Sequence, residues 1–224
     1  GAVLLPRTSY YVEMKMEREF CTVSGKALEF VAVLSIPLTV SFTIMAKQCI
    51  LLLSGNAYLP SVIPMCIIMP TLILIGASNV FGVQMLVPLG KETIVLYSEC
   101  AGAVADIILN AVFIPRYGAS GAAFGTLVAE AVVLVVQAAA LKNMAWEIIK
   151  KVEVWKILPA AALSGAAMVF IKNKVNMPVF PVLVICFSVF FSIYGILLLG
   201  MKERILMELL RTAAKRLKQK EREE

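Results

Sequence analysis

The sequence predicts an all-α fold, a polytopic membrane bundle of about six transmembrane helices. Hydrophobic residues make up 60% of the 224 residues. Of the 36 charged residues, 13 lie in the last 23 positions and only 23 are spread over the first 201. The charged fraction of the first 201 residues is therefore less than half that of an ordinary soluble domain, which is about 25%. A water-soluble fold of this length cannot bury so much apolar side chain, because its surface needs polar cover.

Six apolar stretches are long enough, or nearly so, to cross a bilayer, which takes about 20 residues. They are residues 28–52, 60–88, 93–114, 118–141, 156–172 and 179–200. Backbone groups in lipid must be hydrogen-bonded within the segment, so each stretch is predicted to be helical. The fifth is short, and Lys156 and Lys172 can extend it by reaching toward the headgroups. The second contains Pro64, Pro70 and Pro88, which predict a kinked or broken helix.

The basic residues predict the orientation. If successive helices alternate in direction, the segments on one side are 6–27, 89–92, 142–156 and 201–224. These hold 17 of the 21 Lys and Arg residues, and the other side holds four. Basic residues concentrate in cytoplasmic loops, so the pattern predicts a multi-pass protein of the cytoplasmic (inner) membrane with a cytoplasmic C-terminus. The net charge of +6 thus reflects topology, and no nucleic-acid partner is needed to explain it.

The chain is expected to have four parts. Residues 1–27 would be the end of a preceding helix and a cytoplasmic loop, and residues 28–141 four transmembrane helices. Residues 142–200 would be a cytoplasmic loop and two additional spans, and residues 201–224 a basic tail. The apolar residues of that tail share one helical stripe, which predicts an amphipathic helix on the membrane surface. A solvated charged tail that only fixes orientation is the other interpretation.

Several function classes are disfavoured by composition. The chain has no histidine, which removes His-based catalytic triads and His metal sites from this segment. Its five cysteines are scattered and form no CxxC, so they are interpreted as small core residues, with no metal or cofactor site expected. The sequence begins with Gly1 at the end of an apolar stretch. It is therefore expected to be the C-terminal part of a longer chain.

Ionisable residues inside a span are costly, so each is a functional candidate. The third stretch contains Glu99, Asp106 and Asn110, whose spacing of seven and four places them on one helix face. Two carboxylates there can hold H⁺ or Na⁺, because burial favours the protonated acid and a nearby cation the ionised one. The alternative is structural pairing with a basic or amide group on a neighbouring helix.

Three more polar residues lie within the spans. Glu130 follows a GxxxG motif, Gly121 and Gly125, which is typical of close helix packing. Glu130 is either a carboxylate of the transport pathway or a hydrogen-bonded lock between helices. Asn79 and Gln84 lie in the kinked second stretch, where freed backbone carbonyls often line a transport pathway, although kinks also serve packing alone.

Several short motifs occur in one order along residues 2–141. They are residues 4–9 (Leu-Leu-Pro-Arg-Thr-Ser), 53–58 (Leu-Ser-Gly-Asn-Ala-Tyr), 88–92 (Pro-Leu-Gly-Lys-Glu), 102–110 (Gly-Ala-Val-Ala-Asp-Ile-Ile-Leu-Asn), 114–123 (Ile-Pro-Arg-Tyr-Gly-Ala-Ser-Gly-Ala-Ala) and 126–130 (Thr-Leu-Val-Ala-Glu). In this order they resemble the C-terminal lobe of the Wzx-like oligosaccharide flippases of polysaccharide biosynthesis. That family belongs to the MATE/MOP superfamily, which includes multidrug exporters and lipid II flippases. One departure is Asp106, where the family often carries an amide.

The resemblance implies one lobe of a two-lobe transporter whose central cavity opens alternately to each side. The other lobe would precede Gly1. The implied partners are the bilayer, a polyprenyl-pyrophosphate-linked oligosaccharide, and H⁺ or Na⁺ as coupling ion. Arg7 and Lys47 are candidate contacts to the pyrophosphate, although both also fit a snorkelling role at the headgroups.

The expected function is therefore a flippase that moves a lipid-linked oligosaccharide precursor across the membrane and makes or breaks no bond. A MATE-type H⁺/Na⁺-coupled multidrug exporter or a lipid II flippase is the alternative. A membrane enzyme such as a sugar-lipid ligase or polymerase ranks last, because it would need large polar loops with catalytic residues.

Overall fold

The computed structural model describes residues 5–175 and 177–207. Within those residues the regular structure is entirely helical, as predicted. The α-helices are α1 (Leu5–Glu13), α2 (Glu17–Ile44), α3 (Ala46–Leu53), α4 (Val62–Ile68), α5 (Thr71–Asn79), α6 (Glu92–Tyr117), α7 (Ala119–Leu141), α8 (Asn143–Lys151), α9 (Val154–Lys174) and α10 (Val179–Gly200). A 3₁₀ segment (Asn56–Ser61) precedes α4, and a π-helical segment (Val80–Leu86) continues α5.

Length and apolarity make five of the described helices able to cross a membrane: α2, α6, α7, α9 and α10. A sixth crossing is available if Asn56–Ile68 and Thr71–Leu86 are counted as one span bent by 41°. The predicted break in the second stretch is therefore confirmed. Its cause is local, since Pro70 stands at the bend and cannot donate a helical hydrogen bond. The Thr71 hydroxyl donates to the Ile68 carbonyl oxygen at 2.6 Å, which satisfies an acceptor at the break.

Two boundaries differ from the expectation. Residues 17–27, expected in a loop, form the start of α2, and the helix ends at Ile44, before the predicted end of the span at residue 52. The early start is stabilised by packing, because Phe20 is 2% exposed and Gly25 lies against Ile148 of α8. The loop expected over residues 142–156 is largely α8, whose Ile148 is completely buried. Short helices outside a span are stabilised by such tertiary contacts.

Helices α6 and α7 form a tight antiparallel hairpin that turns at Gly118, whose φ is +55°. Small residues allow the close approach. A Cβ at Gly102 would meet Val133, and a Cβ at Gly121 would lie 2.5 Å from the Phe113 carbonyl oxygen. The GxxxG motif therefore faces α6, in the packing role that the sequence favoured for it.

Helices α9 and α10 pack against α2 and close the other side of the bundle. The Tyr194 hydroxyl donates to the Val33 carbonyl oxygen at 2.9 Å, and Lys172 Nζ donates to the Ile44 carbonyl oxygen at 2.8 Å. After α10 the chain turns at Lys202 (φ +50°), and residues 204–207 begin the tail. Most of the predicted amphipathic helix, residues 208–224, lies outside the described residues.

Candidate functional site

A cavity of about 520 Å³ lies between α1, α2, α5 and the π-helical segment, and we call it the Arg7 cavity. It contains three of the residues singled out in the sequence: Arg7, Asn79 and Gln84. Lys26 of α2 joins them. The remaining lining is mainly apolar, namely Val23, Ala27, Phe30, Val31, Ile75 and Gly76. The fold thus gathers residues that are up to 77 positions apart in the chain.

Each polar group of the cavity is positioned by its own element. Arg7 is held on α1 by Tyr11, because its Nε donates to the Tyr11 hydroxyl at 3.1 Å and its guanidinium lies 5.8 Å from the ring centre. Lys26 lies on an exposed face of α2, and Asn79 is the last residue of α5. Gln84 lies in the π-helical segment, is 5% exposed, and its Oε1 has no hydrogen-bond partner among the described residues.

The π-helical segment places Gln84 beside the cavity. Such segments interrupt the regular helical spacing by one residue and are frequent at functional sites. Close packing holds this one in place: Val80 and Met85 are completely buried, and Gly76 leaves no room for a Cβ beside Val31 of α2. The backbone that carries Gln84 is therefore held firmly beside the cavity.

The Arg7 cavity combines two cations with an apolar wall. Guanidinium and ammonium groups are the usual partners of phosphate, and Arg binds it through two parallel hydrogen bonds. The apolar wall provides room for a lipid chain or another hydrophobic group. Chemically, this arrangement suits an amphipathic anion with a phosphate-type headgroup.

A second polar region lies along the contact of α6 and α7. A Cβ at Gly125 would lie 2.5 Å from Asn110 Oδ1 and 3.3 Å from Asp106 Oδ1, so both side chains face α7. Both of these oxygens are buried and without a hydrogen-bond partner within the described residues. Glu130 of α7 is half-buried, and the carboxylates that repel it are Glu99 and Asp106. The structure therefore brings the predicted acids together, although Glu99 itself is exposed.

No basic residue pairs with these acids in the described part of the chain, where the ion pairs lie elsewhere. The alternative that Asp106 and Glu130 pair with a basic group is therefore not supported by any salt bridge among the described residues. Unpaired carboxylates at such positions are suited to hold a proton or a cation. We call this group of Glu99, Asp106, Asn110 and Glu130 the acidic seam.

Lys47 lies apart from both regions. It is an exposed residue of α3, which follows the end of α2 that is distant from the Arg7 cavity. Val31 is the last residue of α2 that lines the cavity, and α2 continues to Ile44. The helix length between these two residues is about 20 Å at 1.5 Å per residue. The fold does not bring Lys47 and Arg7 to one site.

Sequence reasoning missed the pair Gln137 and Ser98. Gln137 is 1% exposed, and its Nε2 donates to Ser98 Oγ at 3.0 Å, which links α7 to α6. The same amide lies against Gly82 of the π-helical segment, where a Cβ would approach it to 3.0 Å. The signal was present, because Gln137 is seven residues after Glu130 and shares its helix face.

Sequence reasoning also missed a carboxylate cluster of Glu29, Glu153 and Glu203. Glu29 lies within the first predicted span, so the rule that singled out Glu99 applies to it equally. Glu153 and Glu203 stand among lysines and arginines in segments predicted to be loop and tail, where no single position was notable. Only the folding of these segments onto α2 reveals them.

By fold, the chain has the features of a multi-pass helical membrane protein. It matches no protein-family model, no curated protein and no solved structure.

Proposed function

We propose that this chain is part of a flippase that moves a polyprenyl-pyrophosphate-linked oligosaccharide, or a similar lipid-linked precursor, across the cytoplasmic membrane. The Arg7 cavity carries the proposal. Its two cations fit a pyrophosphate, its apolar wall fits the lipid, and Asn79 and Gln84 offer amides to sugar hydroxyls. The motif order along residues 2–141, which resembles Wzx-like flippases, supports the same substrate class.

In this proposal the protein performs no covalent chemistry. Substrate enters from the cytoplasmic side, where the basic segments lie, and leaves when the cavity opens to the other side. The bent span can change shape when the cavity switches from one side of the membrane to the other. It is suited to this because its helix is interrupted at Pro70 and its last segment is π-helical. The acidic seam would bind the coupling H⁺ or Na⁺.

The test uses the full-length protein in proteoliposomes, with a fluorescent polyprenyl-pyrophosphate sugar as substrate. Arg7→Gln with Lys26→Gln removes both cavity cations. We expect at least about a tenfold slower flipping, because a charge-assisted hydrogen bond contributes about 1.5–3 kcal/mol and 1.4 kcal/mol corresponds to tenfold.

The matched control is Arg18→Gln, an exposed basic residue of α2 outside the Arg7 cavity, and it should flip at the wild-type rate. Equal slowing in the control would mean that surface charge, and not the cavity, determines the rate. Undiminished flipping by the double variant would remove the cavity from the mechanism.

The acidic seam favours a second candidate, a MATE-type exporter of cationic drugs driven by H⁺ or Na⁺. Carboxylates attract a cation, whereas the Arg7 cavity repels one. The same vesicles therefore distinguish the candidates when they are loaded with a cationic dye. Dye export that is abolished by Asp106→Asn, with no movement of the lipid-linked sugar, would favour the exporter.

A further inference from the structure

A buried ionic cluster lies where the tail leaves α10, at the end of the bundle formed by α8, the start of α9 and the end of α10. It brings together Glu29 of α2, Glu153 between α8 and α9, and Glu203 after α10. One carboxylate oxygen from each residue lies within 4.8 Å of the other two. We call this the tail cluster. Its three carboxylates belong neither to the Arg7 cavity nor to the acidic seam.

The nearby cations are unevenly shared. Lys156 Nζ lies 2.6 Å from Glu153 Oε2, and Arg204 Nε lies 3.3 Å from Glu153 Oε1. Both of these ion pairs belong to Glu153, and neither Glu29 nor Glu203 forms one with another described residue. The Arg204 side chain is 67% exposed, so among the described residues Lys156 is the buried cation that faces the cluster.

The two carboxylates without a cation are the more deeply buried. Glu203 is 0% exposed, and it accepts hydrogen bonds from the backbone N–H groups of Ile205 (3.1 Å) and Leu206 (2.7 Å). Glu29 is 5% exposed. Its Oε1 is buried and has no partner in the described part of the chain. An ionised oxygen in that position is costly unless a positive ligand occupies the space beside it.

We propose that the tail cluster binds one hard divalent cation, Ca²⁺ or Mg²⁺. Its donors are three carboxylates with no sulfur or imidazole, which is the ligand set that these ions prefer. Ca²⁺–oxygen distances of about 2.3–2.6 Å allow two ligand oxygens to be up to about 5 Å apart. The 4.8 Å spread of the cluster fits this limit. Mg²⁺, with bonds of about 2.1 Å, would keep water between itself and one carboxylate.

An entry route exists. Glu29 lines a cavity of about 560 Å³ that lies over the cluster and also contacts Lys26, Lys151, Lys202 and Arg204. These basic groups repel an approaching cation and lower its affinity. With three carboxylates opposed by a basic rim, we expect a Kd of about 10⁻⁴–10⁻³ M, the weaker part of the range for Ca²⁺ sites.

A bound cation would attach the tail to the bundle. Glu203 is the first residue of the tail to be completely buried, and its carboxylate holds the first turn of residues 204–207. Linking Glu203 to Glu29 of α2 through the ion would stabilise the docked tail against opening by mass action.

The test titrates Ca²⁺ and, separately, Mg²⁺ into the full-length protein in detergent after EDTA treatment, by calorimetry at constant ionic strength. One ion per chain is expected. Trypsin provides a second readout, because the exposed Lys202 and Arg204 flank Glu203. At an ion concentration ten times the Kd, cleavage there should slow about tenfold.

Glu29→Gln keeps the size of the side chain and its hydrogen-bond acceptor but removes the charge, so it should abolish both effects. The matched control is Glu147→Gln on the exposed face of α8, which should behave as wild type. The wild-type titration is decisive even if Glu29→Gln fails to fold. Absence of binding below 10⁻² M, roughly tenfold above the expected range, or binding that Glu29→Gln retains, would overturn the proposal.

Discussion

Glycine positions on α6 and α7 determine how closely these two helices approach. Gly121 lies against backbone of α6, since a Cβ there would be 2.5 Å from the Phe113 carbonyl oxygen. Gly125 lies against a side chain, Asn110 Oδ1, at the same distance. A backbone atom in a helix cannot move aside without shifting the helix, whereas a side chain can rotate. The two glycines of one motif therefore differ in what they tolerate.

We expect Gly121→Ala to destabilise the protein by about 1–3 kcal/mol, the usual cost of overpacking. Gly125→Ala should cost less, because Asn110 can adjust. Thermal unfolding in detergent measures both. The control is Gly195→Ala in α10, where nothing lies within 4 Å of the added Cβ and a small gain in helix propensity is expected. If Gly121→Ala unfolds at the wild-type temperature, α6 and α7 are not in this register.

At the scale of the helices, α2 depends on α10 for one of its backbone hydrogen bonds. Pro37 lies inside α2 and has no N–H, so the Val33 carbonyl, four residues earlier, loses its helical donor. The Tyr194 hydroxyl of α10 supplies that donor at 2.9 Å. Both residues are buried, so water cannot replace the bond. The proline thus explains why a tyrosine is useful at this position in an otherwise apolar helix.

Tyr194→Phe should destabilise the protein by about 1–3 kcal/mol, the cost of leaving a buried acceptor without a partner. Pairing this change with Pro37→Ala, which restores the N–H within α2, should recover most of that loss. Tyr97→Phe, at a position 69% exposed, is the neutral control. A double variant no more stable than Tyr194→Phe alone would contradict the account.

At the scale of the whole molecule, the directions of the helices place different residues at the two ends of the bundle. The α6–α7 turn lies at one end, and α7 runs from it to α8 and the start of α9 at the other. The end of α10 lies beside the start of α9, because Lys156 Nζ is 3.5 Å from the Lys202 carbonyl oxygen. Arg116, beside the turn, and Lys202 are therefore at opposite ends, and both are exposed. Within the described part of the chain, most basic residues lie toward the Lys202 end.

This arrangement predicts the labelling of single cysteines in intact cells. In a background with the five native cysteines replaced by alanine, Arg116→Cys should react with a membrane-impermeant maleimide. Lys202→Cys should react only after the membrane is permeabilised, because the orientation that we propose from the basic residues places this end in the cytoplasm. The reverse pattern would invert the proposed orientation. Equal labelling of both cysteines in intact cells would mean that Arg116 and Lys202 are not on opposite sides of a membrane.

The sequence pattern was sufficient to predict the long helices and the broken span, because the length of an apolar stretch and the presence of proline act locally. It was also sufficient to find Asp106, Asn110 and Glu130, since a polar residue within an apolar span is visible in the sequence. It was insufficient for Lys26 and Gln137, which are ordinary residues until a neighbouring helix makes them part of a cavity or a hydrogen bond. Lys47 is the opposite case. The sequence made it a candidate phosphate contact, but the fold keeps it about 20 Å from the Arg7 cavity.

By itself, the sequence determined that this is a helical membrane-type chain with one charged end, because burial of apolar side chains and the distribution of charge depend on composition and order alone. Only the tertiary structure decided which polar residues meet. Glu29, Glu153 and Glu203 are up to 174 positions apart, and a carboxylate gains a specific role only when another group lies within a few ångströms. Those distances are set by the packing of α2, α9 and the tail, and no local pattern encodes them.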